Sequence, residues 1–178
     1  MRNVVIGVVS LWMLLATSSS QAWDPGKLDE AKAKAQVAVA ALLKKDPAMQ
    51  RFFDEAVAYA VVPSVGKAGF GVGGARGKGL LYESGEPTAE VTLTQLSIGF
   101  QMGGQVYSEF IFFEDDETLG DFKRGNFELG AQASAVAVTS GASANADYSD
   151  GVAIFTQAKG GLMYEASVGG QKFKIEPL

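Results

Sequence analysis

Residues 57–82 read VAYAVVPSVGKAGFGVGGARGKGLLY, and this stretch decides the fold. Glycine occupies every odd position from 69 to 79 except Ala75, while larger side chains stand on even positions, at Phe70, Val72, Arg76 and Lys78. An extended chain sends alternate side chains to opposite faces. The pattern therefore predicts a long strand, bent at Gly73 and Gly74, with one nearly bare face. Glycine is typical of strand positions that another backbone, a bulky side chain or a ligand approaches closely.

The same glycines resemble two nucleotide-binding motifs, and neither fits. Residues 69–74 match G-x-G-x-x-G, but that fingerprint requires a helix directly after it, and here the chain continues in a strand-like pattern. Gly77 and Lys78 resemble part of a phosphate-binding loop, but Val72 stands where its first glycine belongs. We therefore expect a closely packed strand here and no nucleotide cofactor.

The first 22 residues have the pattern of a secretory signal peptide. A short positive start with Arg2 precedes an apolar run over residues 4–16, and small residues follow up to Ala22. We expect cleavage after Ala22 and a mature domain of residues 23–178 that is periplasmic or secreted.

Composition excludes several classes of activity. The chain has no cysteine and no histidine, so disulfides, thiol nucleophiles, Ser-His-Asp triads and ordinary zinc sites are excluded. The formal net charge is −5, and loss of Arg2 with the signal makes it −6, which disfavours nucleic-acid binding. We expect no catalytic residues, no metal and no cofactor.

Two helices are predicted at the start of the mature chain, over residues 23–45 and 47–55. In the first, small and apolar residues recur at helical spacing, at Leu28, Ala31, Ala35, Val39 and Leu42. Lys27, Lys34 and Lys45 follow one edge of this stripe. Lysines beside an apolar stripe suit a lipid surface, but the same stripe can pack on the protein's own sheet with the lysines in solvent.

Alternating patterns predict strands through most of the remaining chain. We expect strands over residues 90–102, 106–113, 152–159, 162–168 and 171–176, and a short helix over residues 117–123. Val91 and Leu93 are out of phase with Leu96, which predicts a bulge near Thr94 and Gln95. Gly103 and Gly104 predict a hairpin turn. The fold class is α+β, with two N-terminal helices packed on a curved antiparallel sheet or partial barrel.

Three sequence blocks resemble the SYLF domain family. They are residues 63–71 with the glycines that follow, residues 97–105, and residues 127–131, and the similarity extends from about Leu28 to the C-terminus. The resemblance implies lipid binding: eukaryotic members bind phosphoinositides, partly through an N-terminal amphipathic helix, and some bind actin. It also implies a role for Lys67 in the first block and, more loosely, for the helix lysines Lys27, Lys34 and Lys45.

These observations predict an exported, non-enzymatic protein that binds phospholipid or a membrane surface. The predicted contact residues are cationic side chains of the helix and the glycine-rich strand together with one interfacial aromatic, namely Trp23, Lys27, Lys34, Lys45, Lys67, Arg76 and Lys78. An exported protein does not meet actin, so actin binding is not expected. The alternative is a structural or protein-interaction module of the envelope without lipid specificity.

Overall fold

The computed structural model describes residues 24–125, 135–161 and 168–178. Its elements are α1 (Pro25–Lys45), a 3₁₀ turn (Pro47–Met49), α2 (Gln50–Glu55), β1 (Ala58–Glu83), β2 (Glu86–Phe113), α3 (Asp116–Lys123), β3 (Val136–Ala137), a second 3₁₀ turn (Ala142–Asn145), β4 (Val152–Gly161) and β5 (Gln171–Pro177). The α+β class is confirmed. The predicted signal peptide, Trp23, the third sequence block and nearly all of the predicted strand over residues 162–168 lie outside the described residues.

Both predicted N-terminal helices are present, and each begins at an aspartate followed by proline. Asp24 caps α1 by accepting a hydrogen bond from the Gly26 amide at 3.1 Å, with Pro25 as the first helical residue. Asp46 ends α1 and accepts from the Ala48 amide at 3.3 Å. The predicted second helix is divided into a 3₁₀ turn and the short α2.

The sheet is organised around β2. Along one edge β2 pairs with the whole of β1, and along the other it pairs with β5 over residues 89–95 and with β4 over residues 105–113, all antiparallel. The prediction of a purely antiparallel sheet is wrong, because β3 joins β4 in parallel. A parallel pair needs a long crossover, and residues 138–151 with their 3₁₀ turn provide it. The order of paired strands runs from β1 through β2 and β4 to β3. The described parts of β1 and β3 do not pair with each other, so this sheet is open.

A hairpin turn joins β1 to β2, whereas the turn predicted at Gly103 and Gly104 is wrong. Ser84 and Gly85 have φ of 52° and 81°, as in the primed turns that fit the twist of a hairpin. Gly103 and Gly104 do not turn: they pair with Gly69 and Ala68 inside the ladder, and β2 runs through them without a break. The conformational freedom of a Gly-Gly pair permits a turn, but here a partner strand extends past both residues and holds them extended.

The ladder between β1 and β2 is irregular at places other than those predicted. Its register shifts between Val62 and Val65 and again between Phe70 and Val72, whereas Gly73 and Gly74 pair regularly. Residues 93–96 also pair without a shift, so the predicted bulge near Thr94 and Gln95 is wrong. The phase change arises because Leu96 is exposed to solvent, on the face opposite Val91 and Leu93.

Apolar side chains form two cores, one on each face of the sheet. The inner core lies on the face that α3 covers, and its members include Val62, Val65, Tyr107, Ile111, Phe113, Phe122 and Phe173. The outer core lies between the sheet and the N-terminal helices, and its members include Ala35, Ala38, Leu42, Phe52, Leu80, Phe112 and Phe155. The apolar stripe of α1 is therefore packed on the protein's own sheet.

Strand β1 folds back over its own beginning, and glycine makes this possible. A Cβ atom placed on Gly79 would lie 2.7 Å from the Val62 Cα, and one on Gly77 would lie 2.9 Å from the Ser64 carbonyl oxygen. No side chain fits at such distances, so the bare face of the strand contacts backbone, as the alternating glycines indicated. This contact gives the long hairpin its strong curvature.

Candidate functional site

Three of the predicted lysines meet in a groove between α1 and β1. We call this the helix groove: it has a volume of about 360 Å³ and is lined by Lys27, Glu30, Ala31, Lys34, Pro63, Ser64, Lys78, Gly79 and Glu90. Lys27 and Lys34 come from the first half of α1, and Lys78 comes from the returning half of β1. The fold thus brings together cations that lie more than forty residues apart in the sequence.

Carboxylates neutralise most of the charge in the helix groove. Lys34 pairs with Glu30 at 2.6 Å, and Lys78 pairs with Glu90 at 2.5 Å. The hydrogen bond and charge of Lys34 lower the pKa of Glu30, which keeps that carboxyl ionised. Lys27 has no carboxylate partner within the part of the chain that the structure describes. The groove therefore has an excess of only one positive charge, that of Lys27, to offer an anion.

Arg76 and Lys67 belong to a different surface, in the glycine-rich middle of the long hairpin. A cleft of about 530 Å³ is lined by Gly66, Ala68, Gly74, Ala75, Arg76, Thr94, Gln95, Leu96, Gly170 and Lys172. A shallow depression beside it shares two of these residues and adds Lys67, Gly104, Gln105, Val106 and Gly160. We call these two lining sets together the glycine surface.

The glycine surface combines cations with exposed apolar side chains. Leu96 is 82% exposed and Val106 is 40% exposed, although both lie in the middle of β2. Arg76 and Lys172 line the cleft together with Leu96, and Lys67 lines the depression together with Val106. None of the described lining residues is acidic. In a chain whose formal net charge is −5, this is a local concentration of positive charge.

Sequence reasoning missed Leu96, although the signal was present. Leu96 is out of phase with Val91 and Leu93, which was read as a bulge that would return it to the core. The ladder is regular there, so Leu96 points to the opposite face and into solvent. Leu96 is therefore an exposed apolar side chain on the face opposite Val91 and Leu93.

Of the last two predicted contact residues, only Lys45 is described, and it joins neither surface. Lys45 is the final residue of α1, eighteen residues after Lys27, which places it about 27 Å along the helix axis from Lys27. It is exposed and lies outside the helix groove. Trp23 lies outside the described residues.

A polar cluster that sequence reasoning also missed lies within the inner core, on β2 and β5. The Gln171 side chain donates a hydrogen bond to Glu109 Oε2 at 2.9 Å and lies 3.5 Å from the Tyr107 hydroxyl. Glu109 and Gln171 are fully buried, and Glu109 Oε1 and Gln171 Oε1 have no hydrogen-bond partner among the described residues. Burial raises the pKa of Glu109 to about 7, against the smaller lowering effects of Gln171 and the Lys67 charge.

Within the described residues the model contains neither a metal-binding acidic cluster nor a membrane-spanning helix. No three acidic side chains there are grouped so that they could hold a metal ion. No helix in that part of the chain is long and apolar enough to cross a membrane.

Comparison with known proteins identifies the domain. Residues 94–176 match the model of the Ysc84 family, which is described as Las17-binding protein actin regulator. This part of the chain is therefore similar to a Ysc84, or SYLF, domain. The SYLF resemblance of the sequence is thus confirmed. The matched residues contain Leu96, Glu109 and Lys172, whereas the seven predicted contact residues all precede them.

A curated relative matches a larger share of the chain. Beta cell expansion factor A of Aeromonas veronii is 27% identical over 145 residues, which cover 80% of this chain and 54% of the relative. The chain therefore spans about half the length of this curated relative.

Proposed function

We propose that this SYLF domain is an exported, non-enzymatic protein that binds anionic phospholipid at a membrane surface through its glycine surface. The observation that carries the proposal is the exposed Leu96, which lines a cleft together with Arg76, and none of the described residues that line this cleft is acidic. Peripheral membrane proteins combine these two features, because apolar side chains enter the interface while lysine and arginine attract anionic headgroups.

The helix groove supports this function less well. Insertion of α1 into a membrane would require its apolar stripe, and that stripe is buried in the outer core against β1, β2 and β4. Its lysines contribute little attraction while Glu30 and Glu90 pair with two of them. The helix therefore serves mainly to hold the curved hairpin in shape.

The second candidate is a module that binds another protein. The family description names Las17 binding and actin regulation, which concern the members that gave the family its name. An exposed leucine beside cations also suits a protein interface, where exposed apolar patches mark contact sites. Lipid is favoured for this chain because its charge pattern matches an anionic surface of any composition, and because the expected export separates it from actin.

Sedimentation with vesicles tests the proposal. Vesicles of phosphatidylglycerol and phosphatidylcholine should retain the protein, and vesicles of phosphatidylcholine alone should retain much less, because the cations supply much of the attraction. Leu96→Ala should weaken binding about tenfold, which corresponds to loss of part of one leucine's burial. Val37→Ala is the matched control, since Val37 is 69% exposed on α1 and is not among the residues that line the glycine surface.

The outcomes separate the two candidates. Equal loss from Leu96→Ala and Val37→Ala would contradict the proposed site. Absence of binding to every vesicle, with retention of an envelope protein that Leu96→Ala abolishes, would establish the protein-interaction function instead.

A further inference from the structure

The cleft of the glycine surface contains a row of polar side chains that crosses three strands. Arg76 of β1, Thr94 of β2 and Lys172 of β5 lie opposite one another in the two ladders, and we call them the cationic row. Their neighbours along each strand are buried, so all three side chains are on the exposed face. Neighbouring strands are about 4.8 Å apart, which places the backbones of Arg76 and Lys172 about 10 Å apart on either side of Thr94.

The next row of the cleft is apolar and almost without side chains. Leu96 lies two residues beyond the cationic row on the same face of β2, and its ladder partner is Gly74. Gly170 lies on the other side of Leu96, where an added Cβ would be 3.8 Å from the Leu96 carbonyl oxygen. Gly66 and Ala68, from the first half of β1, also line the cleft. These small residues leave unfilled a volume of about 530 Å³.

The positive charge of this cleft is not balanced by its lining. Arg76 forms no ion pair with a carboxylate in the part of the chain that the structure describes. None of the described residues that line the cleft is acidic. An anionic group in the cleft would therefore be attracted by Arg76, and no carboxylate of the described lining would oppose it.

Charge, apolar lining and size together fit a ligand with an anionic head and one apolar chain. Pockets for a single small molecule have volumes of about 300–1,000 Å³, and the cleft lies within this range. This size suits one acyl chain with its headgroup better than the two chains of a diacyl lipid. A chain in the cleft would also cover Leu96, which is 82% exposed, and burial of apolar surface favours binding.

We propose that the cleft binds one molecule of an anionic lipid that has a single acyl chain, with the chain against Leu96 and the head beside the cationic row. This inference rests on the proposed function and names the class of lipid that the glycine surface takes. It also goes further, because a single-chain lipid is bound as a monomer from solution and requires no membrane surface.

Titration calorimetry with three probes tests the inference. Lysophosphatidylglycerol, kept below its micelle concentration, should bind with one molecule per protein. Lysophosphatidylcholine of the same chain length has a zwitterionic head and should bind about fivefold more weakly, the effect of one charge beside the cations. Glycerol phosphate has an anionic head without a chain and should bind about a hundredfold more weakly, because the chain supplies the apolar burial.

Two matched leucine substitutions locate the site. A Cβ atom on Gly66 or on Gly160 would meet nothing within 4 Å, so either position accepts a side chain without a clash. Gly66 lines the cleft, whereas Gly160 lines the neighbouring depression and not the cleft. Gly66→Leu should weaken binding of lysophosphatidylglycerol about tenfold, because the leucine occupies space that the chain needs. Gly160→Leu should change the affinity less than about twofold.

Charge variants and an NMR measurement on the unsubstituted protein complete the test. Arg76→Gln should weaken binding of lysophosphatidylglycerol about fivefold, whereas Lys45→Gln, which removes an exposed cation outside both surfaces, should not change it. In wild-type protein, nuclear Overhauser contacts of the bound chain should involve the methyl groups of Ala68 and Leu96 and not those of Val37.

The outcomes distinguish this inference from the proposed function. Binding of phosphatidylglycerol vesicles without binding of lysophosphatidylglycerol would overturn the inference and leave the proposed function intact. Absence of binding to either lipid would overturn both. Equal losses from Gly66→Leu and Gly160→Leu, or chain contacts at Val37 instead of Leu96, would overturn the assignment to the cleft.

Discussion

The helix groove and the glycine surface each contain three cationic side chains, but the residues around those cations differ. In the helix groove Glu30 and Glu90 pair with two lysines. The glycine surface has no acidic residue among its described lining residues, and it presents Leu96 to solvent. The comparison teaches that the number of lysines in a segment does not set its potential. The potential depends on the carboxylates and apolar side chains that the fold places beside the lysines.

The glycines of the two surfaces also differ in their surroundings, and their replacement gives the largest expected effect on stability. Gly79 lines the helix groove, where a Cβ would meet the backbone of Val61 and Val62, whereas a Cβ on Gly66 would meet nothing within 4 Å. Gly79→Ala should lower the free energy of unfolding by about 3 kcal/mol or prevent folding, as overpacking does. Gly66→Ala should change it by less than about 0.5 kcal/mol. Urea unfolding compares them, and equal midpoints would contradict the fold-back of β1.

Two buried acids, Glu109 in the inner core and Asp46 at the C-terminal end of α1, should respond to pH in opposite directions. The folded pKa of Glu109 is raised to about 7 by burial, so its contribution to stability is full below its unfolded pKa and is lost as pH rises to 7. Replacement by glutamine should remove this loss, which amounts to about 3 kcal/mol between pH 4.5 and pH 7.

Asp46, in the outer layer, supplies the contrast. Burial alone would raise its pKa, but hydrogen bonds from Ser143 and Ala48 outweigh burial and lower it. Asp46 therefore adds to the free energy of unfolding above its unfolded pKa, and this contribution is lost as pH falls through its lower folded pKa. Unfolding curves of Glu109→Gln and Asp46→Asn across pH 3 to 8 measure both slopes, and slopes of the same sign would contradict the described environments.

Removal of lysines from each surface should affect vesicle binding unequally. Lys67→Gln with Arg76→Gln should weaken binding to phosphatidylglycerol vesicles about 25-fold, at about 1 kcal/mol for each cation near the membrane. Lys34→Gln with Lys78→Gln removes the same formal charge from the helix groove and should weaken binding less than about twofold, since exposed lysines that are paired with carboxylates contribute little. The reverse order of effects would move the binding site to the helix.

If carboxylates neutralise the lysines of the helix groove, removal of those carboxylates should strengthen binding to anionic vesicles. The double variant Glu30→Gln and Glu90→Gln removes the acidic partners of Lys34 and Lys78. These two lysines then add their positive charge to that of Lys27. Binding to anionic vesicles should tighten about fivefold at low salt and return to the wild-type value at high salt, where exposed charges are screened. Glu83→Gln with Glu86→Gln is a control of equal charge at the hairpin turn, and an equal gain there would show a non-specific effect of net charge.

Local patterns were sufficient to predict most elements of the fold. Capping aspartates and proline set both helix starts, and alternation gave the extents of β1, β4 and β5 within a few residues. The alternating glycines also predicted a close backbone approach, which Gly77 and Gly79 show. These features depend on neighbouring residues, and so the sequence contains them directly.

The parts that failed depend on partners distant in the sequence. Gly103 and Gly104 were read as a turn, because a Gly-Gly pair does not reveal that Ala68 and Gly69 will pair with it. The charge of Lys34 and Lys78 was predicted, but the ion pair of Lys78 with Glu90 forms only after β1 and β2 have paired. Glu109 escaped notice since nothing near it in sequence shows that Gln171 will meet it in the core.

The orientation of the protein on a membrane tests the central claim most directly. The chain has no cysteine, so Leu96→Cys and Val37→Cys each provide a single site for an environment-sensitive dye. When phosphatidylglycerol vesicles are added, the dye at position 96 should shift its emission to the blue, and the dye at position 37 should not. A shift at position 37 without one at position 96 would show that α1, and not the glycine surface, contacts the membrane.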